Sequence, residues 1–167
     1  MYRCHGAPPE HIFSVQSNLA KSYRAVGRLD EALRTRQEVY SGRLKLDGIE
    51  NEYTLIAASN YASSLTTLGR FEEAKSLLRK TLPVARRVLG ENHQLTLKMR
   101  GCYAEALCND PASTLDDLRE AVTTLEDTDR TARRVLGSAH PTTAAIGLSL
   151  RNARAALSAH ETPSGSA

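Results

Sequence analysis

Three cysteines, five histidines and several adjacent carboxylates are the residues of this 167-residue chain that could carry chemistry. Cys4, His5 and His11 could meet at a metal, but no fourth ligand accompanies them, and a structural zinc site needs four. Cys102 and Cys108 stand six positions apart, about 240° round a helix, so they cannot share one ion. Cys108 is expected on a helix surface and Cys102 toward a groove. His93 and His140 end two similar phrases, Arg86-Arg-Val-Leu-Gly-Glu-Asn-His93 and Arg133-Arg-Val-Leu-Gly-Ser-Ala-His140. Recurrence at one register points to helix starts and contacts between repeats, not to catalytic bases. Glu72-Glu73 and Asp116-Asp117 diverge on a helix and read as a solvated face that complements the positive N-terminal end. There is no Gly-x-x-x-x-Gly-Lys-Ser/Thr loop, no Gly-x-Ser-x-Gly elbow and no His-Glu-x-x-His helix. The expectation is a protein that is not an enzyme, with no cofactor and no metal.

The 22 Lys+Arg against 19 Asp+Glu leave a formal charge of +3, too small to demand a nucleic acid or an anionic surface. Aromatic residues are only 5% of the chain, without Trp, so the core must be built from Leu, Ala and Val. That composition suits close helix packing better than a β-sandwich. The longest stretch free of formal charge, Thr54 to Gly69, has 16 residues and is rich in Ser, Thr and Asn. A membrane span needs roughly 20 mainly apolar residues. The start lacks the apolar run of a secretory signal. With an odd number of cysteines, a reducing, cytoplasmic setting is expected.

The elements that position these residues repeat. Gly6, Gly48 and Gly90 fall 42 apart, as do Ala20, Ala62 and Ala104, Asn18 and Asn60, and Leu55 and Leu97. Gly27-Arg-Leu-Asp-Glu-Ala32 returns as Gly69-Arg-Phe-Glu-Glu-Ala74. The phrase ending in His93 returns 47 positions later, so a third unit carries five extra residues, two in a turn and three in a helix. A fixed period of this length means stacked supersecondary units.

Within a unit the apolar period is helical: Ile12, Val15, Leu19, Tyr23 and Val26 mark one face of a helix, and Phe71, Ala74, Leu78, Leu82, Ala85 and Leu89 another. The predicted helices cover 8–26 and 29–47, 52–68 and 71–89, 93–108 and 113–136, then 141–159 with Pro141 in its first turn. The stretch Glu126-Asp-Thr-Asp-Arg-Thr131 has no apolar residue, so the sixth helix is expected to project into solvent or break there. Arg86-Arg87 and Arg133-Arg134 fall in last turns, where cations suit the negative helix end.

These residues resemble the tetratricopeptide repeat. Leu19-Ala20, Tyr23 and Ala32 fall where that family places its Leu-Gly/Ala, Tyr and Ala, and Tyr61-Ala62, Leu65, Ala74, Tyr103-Ala104 and Leu107 do so in later units. The ordinary repeat is about 34 residues. The 42-residue period, the Leu-Gly-x-x-His phrase and Asn18-Leu-Ala and Asn60-Tyr-Ala are similar to the kinesin-light-chain-like subclass. The resemblance implies an all-α, right-handed α-α superhelix, a solenoid of about three helix pairs and a C-terminal capping helix. Residues 1–7 read as the remnant of a preceding repeat. Repeats occupy 8–48, 49–90 and 91–137, a capping helix 138–159 and a disordered tail 160–167. Cys102 and Ser149 stand where earlier units have Asn, and no heptad-rich segment for joining a motor heavy chain is present.

The resemblance further implies a concave groove, lined by the first helix of each pair, that binds peptide segments of partner proteins. Its positions fall on Ser17, Asn18, Lys21 and Arg24; on Ile56, Ser59, Asn60, Ser63 and Thr66; on Lys98, Cys102, Glu105 and Cys108; and on Ser149 and Asn152. An Asn amide can pair with both N–H and C=O of an extended backbone. Asn18 and Asn60 could instead cap or bridge neighbouring helices. Lys21, Arg24 and Lys98 either attract acidic side chains or form a solvated face. The Lys/Asn set that clamps chaperone C-termini is matched only by Asn60 and Lys98, which argues against that subclass. The expected partner is a protein or peptide ligand, with self-association left open, and neither nucleic acid nor membrane. A sensor segment of a larger nucleotide-binding signalling protein is the alternative. RNA binding through Arg79, Lys80, Arg86 and Arg87 is disfavoured by the scarcity of aromatics for stacking.

Overall fold

The computed structural model describes residues 8–161. The expectations for residues 1–7, Cys4 and His5 among them, and for 162–167 lie outside that range. Seven α-helices make up the described chain: α1 Pro9–Ala25, α2 Leu29–Asp47, α3 Glu52–Thr67, α4 Phe71–Leu89, α5 Gln94–Asn109, α6 Leu115–Leu136 and α7 Pro141–Glu161. They pair as α1/α2, α3/α4 and α5/α6, with α7 closing the stack on α5 and α6. Helix ends agree with the sequence reading to within two residues; α7 runs to Glu161, so the tail expected from 160 begins inside a helix.

The repeated residues explain why the pairs stack. Ala20, Ala62 and Ala104 are each 0% exposed, as is Ala74, and Ala32 is 1% exposed. A larger side chain there would wedge two helices apart. Leu55, Leu78, Leu97, Leu107 and Leu125 are fully buried between them. Each such Leu contributes about 1.5–3 kcal/mol by leaving water.

Local chemistry sets the ends. Asn51 Oδ1 accepts the Tyr53 N–H at 2.8 Å, opening α3. His93 Nδ1 accepts the Leu95 N–H and His140 Nδ1 the Thr142 N–H, at 3.3 and 3.1 Å, so both histidines are helix N-caps. Thr114 and Asp117 form a reciprocal capping box at the start of α6. Gly48 and Gly90 close α2 and α4 at φ of 78° and 96°, a region that a side chain disfavours.

One expectation needs correction. The helix α6 neither breaks nor leaves the core at 126–131. Thr128 is 0% exposed and its hydroxyl donates to Thr124 O at 2.6 Å, while Glu126 receives Arg154 of α7 at 2.7 Å and Asp129 receives Arg133 at 2.6 Å. Side-chain pairing along the helix and onto α7 replaces the missing apolar contacts. The apolar face of α1, in contrast, does not bury: Ile12, Val15, Leu19 and Val26 are 47%, 67%, 43% and 70% exposed. The cause is packing: among the described residues α1 rests on α2 alone, whereas α3 packs on α5 and α5 on α7.

Candidate functional site

Helices α1, α3, α5 and α7 line one side of the stack. Because α1 stands off α3, a cleft of about 220 Å³ opens between them, walled by Phe13, Ser17 and Asn18 of α1, by Val39 and Arg43 of α2, and by Tyr53, Ile56 and Asn60 of α3. A second cleft of about 380 Å³ runs toward α7, among Arg24, Ser63, Lys98, Gly101, Cys102, Glu105, Ala145 and Ile146. Asn60 sits at the edge of the first and is tied to the second by Lys98, whose Nζ donates to Asn60 Oδ1 at 3.2 Å. The Asn60 NH₂ has no partner among the described residues.

The positions named from sequence differ in exposure and in partners. Lys21, Arg24, Asn18, Ile56 and Lys98 are exposed on the groove, and Ser63 and Glu105 are half-buried in its wall. Ser17 lines the first cleft with its hydroxyl turned back to Phe13 O at 2.7 Å. Glu105 instead receives the hydroxyl of Ser149, which fixes its carboxylate against α7. Thr66 and Cys102 pair with each other, hydroxyl to thiol, at 3.9 Å. Cys108, Ser149 and Asn152 gather at the far end with Glu105.

Ser59 is a correction. It is 0% exposed, its hydroxyl has no hydrogen-bond partner, and it offers no surface to a ligand. Adjacent helix positions are turned by about 100°, so the groove face that exposes Ile56 and Asn60 carries Ser59 beneath it. Cys102 is also mostly covered, at 7% exposed, and burial pushes its thiol pKa up to about 11. Cys108 is raised to about 11, again mainly by burial. Neither thiol is a nucleophile at neutral pH.

A residue not named from the sequence stands at the centre. Arg36 of α2 is 8% exposed and reaches through the gap between α1 and α3, where its Nη1 donates to Asn60 O at 2.9 Å and to Ser64 Oγ at 2.6 Å. It lines a small recess with Ser17, Lys21, Val39, Ala57 and Asn60. Burial, then the charge of Arg24, lowers its pKa. The Lys98 ammonium is likewise pushed below the ordinary lysine value, first by crowding around it and further by Arg36, Arg24 and Lys21, with Cys102 acting the other way. One signal was available: 42 positions on, the counterpart of Arg36 is the fully buried Leu78.

Among the described residues no three His, Cys, Asp or Glu side chains gather as a metal site would need. No described helix is long and apolar enough to cross a membrane. What the arrangement offers is a cleft-bearing face with amide and cationic donors at its middle.

Residues 11–87 and 53–108 match the model of the tetratricopeptide repeat. Among solved structures, the chain is similar to the nearly identical TPR-like repeats of a Podosopora anserina protein of kinesin-light-chain type, at 21% identity over 93% of this chain and 91% of that one, with a TM-score of 0.54. It is also similar to BtubC (BKLC) from P. vanneervenii, at 15% identity over 99% of this chain and 72% of that one, with the same TM-score of 0.54. At these identities the likeness is one of fold. No curated protein matches the sequence.

Proposed function

The chain belongs to the tetratricopeptide repeat family, and from that premise we propose that it is a non-catalytic interaction scaffold that holds an extended segment of a partner protein in its concave groove. The observation that carries this reading is Asn60. Its Oδ1 is fixed by Lys98 at 3.2 Å and its main-chain oxygen by Arg36 at 2.9 Å, which leaves an oriented NH₂ group at the junction of the two clefts. An amide held in this way can donate to a backbone carbonyl without reading the side chains of the segment. Because α3 and α5 are each packed against helices on several sides, little of their own entropy is lost on binding. The partner in this reading is a protein, and the setting is cytoplasmic, which the free thiols of Cys102 and Cys108 suit.

A peptide array probed with the wild-type protein and with Asn60→Leu tests this, with circular dichroism as the folding control. Segments retained by the wild type and lost by the folded variant support the groove. Silence from both proteins, or hits indifferent to the substitution, sinks it.

A further inference from the structure

Three cations are buried among the described residues: Arg36, Arg43 and Lys75. Lys75 meets two carboxylates, Asp110 at 2.7 Å and Glu72 at 2.5 Å. Arg43 meets Asp47 at 3.1 Å and lies over the rings of Phe13 and Tyr53. Arg36 meets none; both of its partners, Asn60 O and Ser64 Oγ, are neutral. A guanidinium has five N–H donors. Two of them sit on Nη1 and serve those oxygens, and the other three have no partner among the described residues. A buried charge held without a counter-ion is costly.

The imbalance extends around Arg36. Lys21 shares its recess, and Arg24 and Lys98 line the adjoining cleft, joined to it through Asn60. None of these four cations forms an ion pair within the described chain. The acidic residue in the wall of that cleft, Glu105, accepts the Ser149 hydroxyl. A single carboxylate carries one negative charge and two oxygens. A phosphate monoester carries close to two charges and three acceptor oxygens, and guanidinium forks match it with paired N–H bonds.

We propose that Arg36, flanked by Lys21, Arg24 and Lys98, receives the phosphate of a phosphorylated serine or threonine in the bound segment, while Asn60 donates to that segment's main chain. The proposal rests on the groove reading above and names the class of segment the groove selects.

The test uses three fluorescein-labelled degenerate nonapeptide libraries, identical except for a central phosphoserine, serine or glutamate, titrated by anisotropy into the full chain. The expected result is affinity for the phosphoserine library about tenfold or more above both others, the equivalent of one or two charge-assisted hydrogen bonds. Arg36→Leu, chosen because the equivalent position of the next repeat holds the buried Leu78, should abolish that preference. So should the exposed double variant Lys21→Gln/Arg24→Gln, whose folding is not at stake. Equal binding of the three libraries overturns the phosphate site and leaves the groove reading standing. No binding of any library overturns both. A preference that survives Arg36→Leu in a folded protein, or that single-stranded RNA competes away while inorganic phosphate does not, also overturns the proposal.

Discussion

The ammonium group of Lys75 lies 2.7 Å from Asp110 Oδ2, linking α4 to the turn before α6 across 35 positions of sequence. Both side chains are nearly covered, at 6% and 9% exposed. Burial alone would lower the lysine pKa, yet the hydrogen bonds to Asp110 and Glu72 leave it raised, and the Lys75 bond holds the Asp110 carboxyl below its ordinary value. In the unit before, the place of Lys75 belongs to the buried Leu33. The third unit's lengthened turn therefore has its own anchor, a cation put where the preceding unit packs a leucine.

Asp110→Asn should destabilise the fold by on the order of 2–3 kcal/mol, the low side for a broken buried pair because Glu72 still holds the lysine. The asparagine retains the acceptor that caps the Ala112 N–H, so the loss reports the charge. A carboxyl lowered in the folded state stabilises fully above the unfolded value of about 4, and that contribution declines below it and is lost as pH falls through the lower folded value. Urea unfolding at pH 7 and at pH 3 should show the variant's deficit shrinking at the lower pH. A deficit that is the same at both would refute the assignment.

Two helix-interior glycines should respond to alanine with opposite signs. A methyl on Gly101 would meet Ile146 Cγ1 at 3.5 Å, ordinary van der Waals distance, so Gly101→Ala should gain about 1 kcal/mol of helix propensity. A methyl on Gly42 would overlap the Phe13 ring at Cε1 and Cζ. That ring stacks 5.1 Å from the Arg43 guanidinium, so moving it breaks a second contact. Overpacking costs about 1–3 kcal/mol, which outweighs the propensity gain and makes Gly42→Ala a net loss of about 1 kcal/mol. Thermal unfolding of the two variants beside wild type decides both signs.

The thiols of Cys102 and Cys108, both raised to about 11, should be poor nucleophiles. Relative to a thiol of ordinary pKa near 9, the thiolate at pH 8 is roughly 100-fold scarcer. In a Cys4→Ser background, iodoacetamide labelling of the folded chain should be slower by about that factor than labelling in denaturant. It should also quicken tenfold per pH unit toward 11. Rapid labelling of either cysteine at pH 7 would contradict the burial that raises them.

Most of the fold was legible because the repeat imposes it. Ala20, Ala62 and Ala104 had to be small wherever paired helices touch, and their spacing alone announced the stack. Asn60 was legible as a groove residue, but its bond to Lys98 was not, since it depends on how far α3 and α5 are offset. Ser59 was misplaced because it lies about 100° round the helix from Asn60, on the side turned into the core. Thr128 was misread because a polar run was equated with solvent, whereas its hydroxyl is satisfied by its own helix at Thr124 O. Arg36 went unseen for another reason. It belongs to the second helix of its pair and reaches the groove only through the gap left where α1 and α3 do not touch.

That gap makes α1 the least secured groove wall. Among the described residues it packs on α2 alone, through Phe13 and the fully buried Ala20, while Ile12, Val15, Leu19 and Val26 remain 43% to 70% exposed. Helices with few buried apolar contacts open locally at a fraction of the global free energy. Amides of α1 should therefore exchange with solvent roughly 100-fold faster than those of α5, a difference of about 2.7 kcal/mol in opening free energy. Since α1 supplies Ser17, Lys21 and Arg24, a segment bridging it to Asn60 and Lys98 should slow exchange in α1 more than anywhere else. Hydrogen exchange read by mass spectrometry, with and without a peptide retained on the array, measures both effects. Exchange in α1 as slow as in α5 without peptide would show that the gap is no weak point. Protection confined to α5 and α7 on binding would move the ligand to the 380 Å³ cleft, away from Arg36.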